Sequence, residues 1–322
     1  MDPILSMRAF VRVVESGNFT RAAESLALPK GTVTKQIQAL EERVQSKLLN
    51  RTTRRVTVTP DGAAYYERAA RLLNDFDDLE SSMTNAQASP QGRLRIDVGS
   101  STAQLLIIPA LQSFCDKYPD IQVDLGVTDR PVDLLGENVD CVIRAGQLTD
   151  QSLVARRIAL LPFITVASPS YVKRYGMPEH PRDLEKRHHV VAYFNSRTRR
   201  NFPHEFKKGD EYYELTLPYR VSVNEANAHF SSVVAGFGIS QCVSFQAQPY
   251  IERGELVQLL PDWNVEPLPM YVVYPPNRHL SPKVRAFVDW TAELFANHPQ
   301  LGTRATAAAA NAASNAAPAL AA

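Results

Sequence analysis

The sequence has little cysteine and no long apolar run. Its three cysteines, Cys115, Cys141 and Cys242, stand far apart without a C-x-x-C pair. We therefore expect buried thiols in a reducing compartment, with a thiol redox switch as an alternative that the spacing does not support. No stretch approaches the roughly 18 apolar residues of a membrane span, and Met1-Asp2-Pro3 does not begin a signal peptide. The sequence thus predicts a cytoplasmic protein without a membrane partner.

Recognised catalytic motifs are also missing. The seven histidines include no H-E-x-x-H pattern, and no nucleophile and base stand at a recognised spacing. The segment Gly236–Ser240 is not a G-x-S-x-G elbow because it follows a predicted helix rather than a strand. We expect its glycines to form a helix C-cap and a close-packed turn. The sequence predicts no catalytic residue, no cofactor and no metal.

The charge of the chain is distributed unevenly. The 322 residues carry a formal net charge of +1, and 44% of them are hydrophobic, as in a soluble protein of two or three domains. Residues 1–60 hold ten basic and five acidic side chains, a net charge of +5. This basic head is joined to a slightly acidic body. Charge by itself would attract any polyanion and does not select DNA.

Three short helices and a basic hairpin are predicted in the head. Pro3 suits the first turn of one helix, which Gly17 ends, and Asn18 is the expected N-cap of the second. After Pro29, Val33, Ile37, Leu40 and Val44 form one buried stripe of a third helix, opposite a polar face. A basic turn then leads into the predicted strand 56–59, as a wing requires. The candidate DNA contacts are Arg21, Lys30, Thr32, Thr34, Lys35, Gln36, Gln38, Arg51, Arg54 and Arg55.

One lysine or arginine is more often a solvated surface charge than a DNA contact. The whole pattern nevertheless predicts a winged helix-turn-helix at residues 1–59 that binds duplex DNA. Residues 19–62 also resemble the LysR-type transcriptional regulators. The resemblance rests on Phe19-Thr20-Arg21-Ala22-Ala23, Thr32-Val33-Thr34-Lys35-Gln36-Ile37, Leu40-Glu41, Leu48-Leu49, Arg51, Arg54-Arg55 and Thr59-Pro60-Asp61-Gly62. It implies that residues 19–38 are the helix-turn-helix and that the third helix is the recognition helix. Pro29 and Gly31 depart from the family pattern, so the N-terminal turn of the recognition helix, which includes Lys30, is built differently here.

A long helix is predicted at residues 60–88. Thr59 caps it, Pro60 occupies its first position, and a heptad seam follows at Tyr65, Ala69, Leu72, Phe76, Leu79 and Met83. At about 1.5 Å per residue the helix would be roughly 43 Å long. A helix packed along its own domain could show the same stripe. The sharper interpretation, which the family resemblance also implies, is a dimerisation helix, followed by a hinge at 89–92.

Alternating strands and helices follow from Arg93 onward. The order predicts a mainly parallel α/β fold in an effector domain spanning 93–300. We assign residues of about 93–161 and 266–300 to lobe I and about 162–265 to lobe II, with a cleft between the lobes for a small ligand. The layout resembles the effector domain of LysR-type regulators and thereby periplasmic binding proteins of type 2. The Ala-rich residues 301–322 are expected to be a disordered tail.

Polar residues at predicted strand ends define the expected effector site. Their hydroxyls, amides and guanidinium suit a small carboxylate near helix N-termini. They are Ser100, Ser101, Thr102, Thr128, Arg144, Phe194, Asn195 and Asn224. Ser100 and Asn224 could instead be simple helix caps, and Arg144 a structural ion pair. The basic run 197–200 could reach DNA, although a solvated loop is favoured.

Together these features predict a sequence-specific transcriptional regulator. Its partners would be double-stranded promoter or operator DNA, a small organic effector such as a carboxylate, and copies of itself in a homodimer that assembles further to a homotetramer. A nucleoid-associated DNA-binding protein without an effector is one alternative, and an α/β enzyme with a catalytic cluster in the cleft is another. The basic head argues against a transport binding protein.

Overall fold

The computed structural model describes residues 2–51, 56–83, 89–134, 136–146, 152–276 and 280–301. The chain forms two compact units. The first is built on the residues up to Ser89, and the second on Pro90–Leu134 and the segments from Val139 onward. Among the described residues, no helix is both long enough and apolar enough to cross a membrane.

The first unit begins with three helices whose ends match the sequence prediction. The helices are α1 (Pro3–Ser16), α2 (Phe19–Ser25) and α3 (Lys30–Val44). Asp2 caps α1 by accepting a hydrogen bond from the N–H of Ile4 at 2.8 Å, and Gly17 ends it in the left-handed conformation at φ 61°. Asn18 caps α2 through the N–H of Thr20 at 2.7 Å. The predicted end of α1 at Gly17 and the predicted N-cap of α2 at Asn18 are therefore confirmed.

A two-stranded wing and a long helix complete the first unit. Strand β1 (Leu49–Arg51) pairs antiparallel with β2 (Val56–Val58), and α4 (Pro60–Met83) follows. Thr59 caps α4 as predicted, since its Oγ1 accepts a hydrogen bond from the N–H of Gly62 at 2.9 Å. The predicted extension of this helix over residues 84–88 lies outside the described residues. The core of this unit consists of apolar side chains from every helix and from the wing, including Phe10, Val13, Ala22, Val33, Ile37, Leu40, Leu48, Ala69 and Leu73.

Lobe I of the second unit contains a five-stranded sheet. Its strands are β3 (Gly92–Val98), β4 (Ile121–Val127), β5 (Cys141–Ala145), β6 (Val154–Leu161) and β14 (Leu268–Tyr274). Their order in the sheet is β4, β3, β5, β14, β6. Strand β3 runs parallel to β4 and β5, whereas β14 is antiparallel to both β5 and β6. The sheet is therefore mixed, because β14 returns from the other lobe in the opposite direction.

The helices of lobe I pack on this sheet. They are α5 (Ser100–Thr102), a π-helical turn (Ala103–Ile107), α6 (Ile108–Lys117) and α11 (Pro282–Ala296). Phe114 and Phe287 are fully buried, with their ring centroids 5.6 Å apart. The chain returns to this lobe through β14 and α11. Residues 89–91 of the predicted hinge have no regular structure, and its last residue, Gly92, begins β3. The predicted tail from residue 302 onward lies outside the described part of the chain.

Lobe II contains a second set of strands and helices between the two segments of lobe I. Its elements are β7 (Phe163–Ala167), α7 (Pro169–Tyr175), a 3₁₀ turn (Pro181–Asp183), α8 (Leu184–Arg187), β8 (Val190–Tyr193), β9 (His204–Lys208), β10 (Glu211–Leu215), β11 (Tyr219–Val223), α9 (Ala226–Val234), β12 (Ser240–Val243), α10 (Ser244–Glu252) and β13 (Val257–Leu259). Strand β8 pairs parallel with β11, whereas β7 pairs antiparallel with β12 and β13. Lobe II is therefore also more mixed than predicted.

Candidate functional site

Helix α3 presents a polar face to solvent. Lys30, Lys35 and Gln38 are exposed, and Thr32 and Thr34 are half-buried. The hydroxyl of Thr34 donates to the carbonyl of Lys30 at 3.1 Å, which restricts the rotation of this side chain. Arg21 is exposed on the preceding helix α2. These side chains are long donors or small hydroxyls, the chemistry that reads base edges and phosphates in a major groove.

Gln36 is a correction to the predicted DNA-contacting set. Its side chain is buried, and its Oε1 accepts a hydrogen bond from the Ser6 hydroxyl at 2.6 Å. Position 36 lies three residues after Val33 and four before Leu40, so it shares their inward face. This spacing could have placed Gln36 inside from the sequence. Its polarity, which suggested a DNA contact, instead serves a hydrogen bond between α1 and α3.

The wing is attached to the end of α3 by a carboxylate. Oε1 of Glu41 accepts hydrogen bonds from the N–H groups of Leu48 at 2.9 Å and Leu49 at 3.0 Å. Glu41 thereby fixes the start of β1 relative to α3. Sequence analysis did not assign this role to it. Arg54 and Arg55 lie outside the described residues, as does the side chain of Arg51.

The predicted seam along α4 divides into two parts. Tyr65 packs edge to face on Phe10 with ring centroids 5.5 Å apart, and Ala69 is buried in the core of the same head. The burial of Ala69 corrects its assignment to a dimer contact, whereas Tyr65 is half-buried and its dimer contact stays a prediction. Leu72 and Leu79 are each 56% exposed, and the Phe76 ring is half-buried near the Arg8 guanidinium. The side chain of Met83 lies outside the described part.

In the second unit, the carboxylate of Asp129, which follows β4, contacts Ser100, which follows β3, and the N-terminus of α9. Its Oδ1 accepts from the N–H of Ser100 at 2.7 Å, and its Oδ2 accepts from the Ser100 hydroxyl at 2.7 Å. The same Oδ2 accepts from the N–H of Ala226 at 2.6 Å, at the start of α9 in lobe II. Sequence analysis found Ser100 but missed Asp129, because its place two residues after β4 resembles an ordinary turn position.

Tyr193 joins this cluster from the end of β8. Burial raises the pKa of its phenol, and the charges of Asp129 and Glu225 and a hydrogen bond to Asp129 raise the pKa further. The phenol is therefore a hydrogen-bond donor throughout the physiological pH range.

The other predicted hydroxyl residues of lobe I lie near the same strand ends. Ser101 and Thr102 are buried next to Ser100. Thr128 is half-buried, and its hydroxyl accepts a hydrogen bond from the N–H of Arg130 at 3.3 Å.

Arg144 is held in an ion pair. Its guanidinium contacts the carboxylate of Asp97 on β3, and the two side chains are 19% and 11% exposed. Gly126 on the neighbouring strand makes room for that carboxylate, since a Cβ there would lie 2.5 Å from Asp97 Oδ2. Of the two alternatives for Arg144, this geometry favours the structural ion pair, because the charge intended for an effector is already compensated.

The loop after β8 uses the predicted Phe194 and Asn195 for its own structure. Oδ1 of Asn195 accepts from the N–H groups of Arg197 at 2.9 Å and Thr198 at 3.0 Å, which makes an Asx turn. The Arg199 guanidinium lies 4.9 Å from the centroid of the Phe194 ring. The basic run 197–200 is exposed.

The cap of α9 is Glu225 and not Asn224, which corrects the prediction. The Glu225 carboxylate accepts from the N–H groups of Asn227 at 3.1 Å and Ala228 at 2.6 Å, and Asn224 is exposed. Asn is the better cap by preference, but only the residue directly before the helix reaches these N–H groups. At the other end of α9, Gly236 adopts φ 85° and Gly238 lies against the backbone of His189, as predicted for this glycine pair.

Comparison with known proteins gives matches along nearly the whole chain. A family model described as "Bacterial regulatory helix-turn-helix protein, lysR family" matches residues 4–63, and one described as "LysR substrate binding domain" matches residues 87–296. An HTH-type transcriptional repressor of Pseudomonas aeruginosa is 38% identical over 301 residues, which cover 94% of this chain and 95% of the relative.

Solved structures agree with these matches. The full-length Vibrio cholerae virulence activator AphB is 29% identical, with a TM-score of 0.58 over 91% of this chain and 99% of that one. The LysR-type regulator CrgA of Neisseria meningitidis is 30% identical, with a TM-score of 0.56 over 90% of this chain and 97% of that one. The predicted combination of a helix-turn-helix head with an effector-type domain is thereby confirmed.

Proposed function

Because the chain belongs to the LysR family of transcriptional regulators, we propose that it binds a promoter through paired heads and responds to a small organic anion in its cleft. The family assignment makes it a regulator with an effector-binding domain. The sequence preference, the anionic nature of the effector and the oligomeric state are the proposed parts. The observation that carries the DNA contact is the exposed polar face of α3 on a folded winged head.

Pairing of heads is supported by the two exposed leucines of α4. Leu72 and Leu79 lie seven residues apart, the repeat of a heptad seam, and each is 56% exposed. Covering such side chains stabilises an assembly by about 25 cal/mol for each Å² of apolar surface removed from water. A second copy of the same helix would cover them. We propose a homodimer through this stripe and further assembly to a homotetramer, so that two heads address two half-sites of DNA.

Footprinting tests the DNA contact, with the DNA upstream of the gene that encodes this chain, including any divergent promoter there, as the probe. We expect protection of a discrete site, and uniform weak protection along the fragment would instead favour a nucleoid-structuring protein. Lys35→Ala should weaken binding to that site about tenfold and lower the slope of the salt dependence by roughly one. Lys186→Ala is the matched control, because it removes an exposed lysine from lobe II. Equal affinity of the wild-type and Lys35→Ala proteins would mean that the recognition face is misassigned.

A thermal-shift assay with a panel of small carboxylates tests for the effector by measuring the unfolding temperature of the protein with each compound. A ligand at 100 times its Kd stabilises the folded protein by about 2.7 kcal/mol, which is well within the range of the method. We expect a carboxylate that raises the unfolding temperature and also changes promoter affinity or DNA bending. Coupling requires that the ligand has different affinities for two arrangements of the lobes. Identical DNA affinity and bending across the whole panel would refute control by an organic acid.

A further inference from the structure

One acidic side chain connects the two lobes of the effector domain. Asp129 follows β4 in lobe I and accepts hydrogen bonds from the N–H and hydroxyl of Ser100, also in lobe I. Its Oδ2 accepts a third hydrogen bond from the N–H of Ala226, the first residue of α9 in lobe II, at 2.6 Å. A single carboxylate therefore fixes the N-terminus of one lobe's helix to the strand ends of the other.

The contact to Ala226 is specific to the arrangement of the lobes. Glu225 caps the N–H groups of Asn227 and Ala228 from within lobe II, so this part of the helix start is satisfied locally. The N–H of Ala226 instead obtains its acceptor from Asp129 in the other lobe. A rotation of lobe II against lobe I would leave both Glu225 bonds in place and break the bond to Asp129. Glu225 therefore caps α9 within lobe II, whereas Asp129 attaches α9 to lobe I.

The hydrogen-bond donors of Ser100 that Asp129 occupies are the donors predicted to bind an effector. Ser100 was expected from the sequence to offer its hydroxyl and N–H to a small carboxylate, and the structure places a carboxylate of the protein there. Arg144 is already paired with Asp97, so its guanidinium does not supply an uncompensated charge to a second anion. An incoming carboxylate therefore meets like charge at Asp129 and gains the donors of Ser100 only where Asp129 withdraws.

We propose that Asp129 is an internal latch, which holds the two lobes in the arrangement described here until an effector disengages it from α9. The regulatory consequence rests on the proposed function, since it assumes that the arrangement of the lobes controls DNA binding. The latch itself is a property of the effector domain. It also explains how a carboxylate effector is coupled to lobe movement, because the ligand and Asp129 compete for the same donors.

Amide hydrogen exchange on the full-length protein without DNA tests the latch. In Asp129→Ala we expect faster exchange at both Ser100 and Ala226, by about tenfold or more, because both amides lose a charged acceptor. Glu225→Ala is the matched control, which should accelerate exchange at Asn227 and Ala228 while Ser100 keeps its wild-type rate. Asp129→Asn preserves the shape of the side chain but has one acceptor oxygen, so it can serve only one of the two backbone N–H groups, and exchange at the other should accelerate. Unchanged exchange at Ala226 in Asp129→Ala would overturn the proposal.

Chemical rescue gives a second, independent measurement. Asp129→Ala removes a carboxylate group, and formate is the probe that replaces it in solution. We expect sodium formate to restore protection at Ser100 and Ala226 in Asp129→Ala, and sodium chloride at equal ionic strength to leave both amides fast. Restoration by both salts, or by neither, would contradict a carboxylate site shared between the lobes.

Distances between the lobes complete the test. Spin labels at Gln112→Cys on α6 and Lys186→Cys on α8 occupy exposed positions in lobe I and lobe II, and Cys115→Ser removes the half-buried native thiol. The distance distribution should shift or broaden in Asp129→Ala, return with formate and stay unchanged in Glu225→Ala. An identical distribution in all variants would refute the latch. These measurements contain no DNA, so a failed footprint and a failed latch are separate results.

Discussion

Gly62 supports the start of α4, and Gly62→Ala should destabilise the DNA-binding head. A Cβ at this position would lie 2.0 Å from the carbonyl oxygen of Leu48 and 2.9 Å from its carbonyl carbon. Both are backbone atoms at the start of the wing, and the Leu48 oxygen already accepts from the N–H of Thr59 at 3.0 Å. Since a backbone cannot move away as a side chain does, the helix and the wing would have to separate.

Two opposing effects determine the magnitude of the Gly62→Ala change. Overpacking costs about 1–3 kcal/mol, and a backbone contact this close belongs at the upper end of that range. Replacing glycine by alanine inside a helix returns about 1 kcal/mol through helix propensity. The net decrease in the free energy of unfolding is therefore about 2 kcal/mol. The steric effect exceeds the propensity effect, so alanine, the best helix former, is expected to destabilise this helix.

Tryptophan fluorescence does not report on unfolding of the head, because Trp263 and Trp290 both lie outside it. The decrease is therefore measured by amide hydrogen exchange of the buried α3 residues Ile37 and Leu40. A change of about 2 kcal/mol corresponds to roughly 30-fold faster exchange. Gly31→Ala is the control, since a Cβ at Gly31 meets no atom of the described residues within 4 Å and should slow exchange through propensity. Exchange in Gly62→Ala as slow as in wild type would refute the steric argument.

Three further changes test other parts of the structure. Gln36→Ala should lower the stability of the head by about 1–2 kcal/mol, because it removes the hydrogen bond with Ser6, without changing the preferred operator bases. A changed base preference in a binding-site selection would return Gln36 to the DNA contacts. Gly126→Ala should displace the Asp97 carboxylate from Arg144 and lower the unfolding temperature of lobe I, followed by Trp290 fluorescence in a Trp263→Phe background. An unchanged temperature would show that Asp97 adjusts freely. Burial lowers the pKa of His204 to about 4 from its ordinary 6.5, so the unfolded state binds the proton first as the pH falls. His204 should lower the stability of lobe II by about 3 kcal/mol between pH 6.5 and pH 4, in addition to contributions of the same sign from His188 and His229, whose pKa values burial also lowers. His204→Gln should remove the His204 part of this dependence in denaturant titrations; an equally steep decrease in the variant would assign all of it to other groups.

Local patterns were sufficient to predict most of the head from the sequence. Asn18 and Thr59 cap helices, and Gly17 ends one, because each acts through hydrogen bonds or backbone angles within a few residues. The buried stripe of α3 follows from helical spacing in the same way. The prediction for Gln36 failed where residue type was given more weight than that spacing, although position 36 shares a face with Val33 and Leu40.

The direction of strands and the partners of charges were harder to predict. The sequence pattern of β14 marks a strand but carries no information on its direction, and only the return of the chain from lobe II makes it antiparallel to β5. In the sequence Arg144 follows the end of a predicted strand, as an effector ligand would, whereas in the structure it lies within β5. Its pairing with Asp97 depends on the parallel alignment of β3 and β5, which brings residues 47 positions apart together.

The sequence by itself determined the two kinds of domain, the caps Asn18 and Thr59 and the polar face of α3, because these features depend on neighbours close in the chain. Tertiary structure decided which polar residues face inward and which charges meet. Gln36 contacts Ser6 across two helices, and Asp129 reaches Ala226 across 97 positions of sequence. Long-range packing sets such pairs, and no local pattern specifies them.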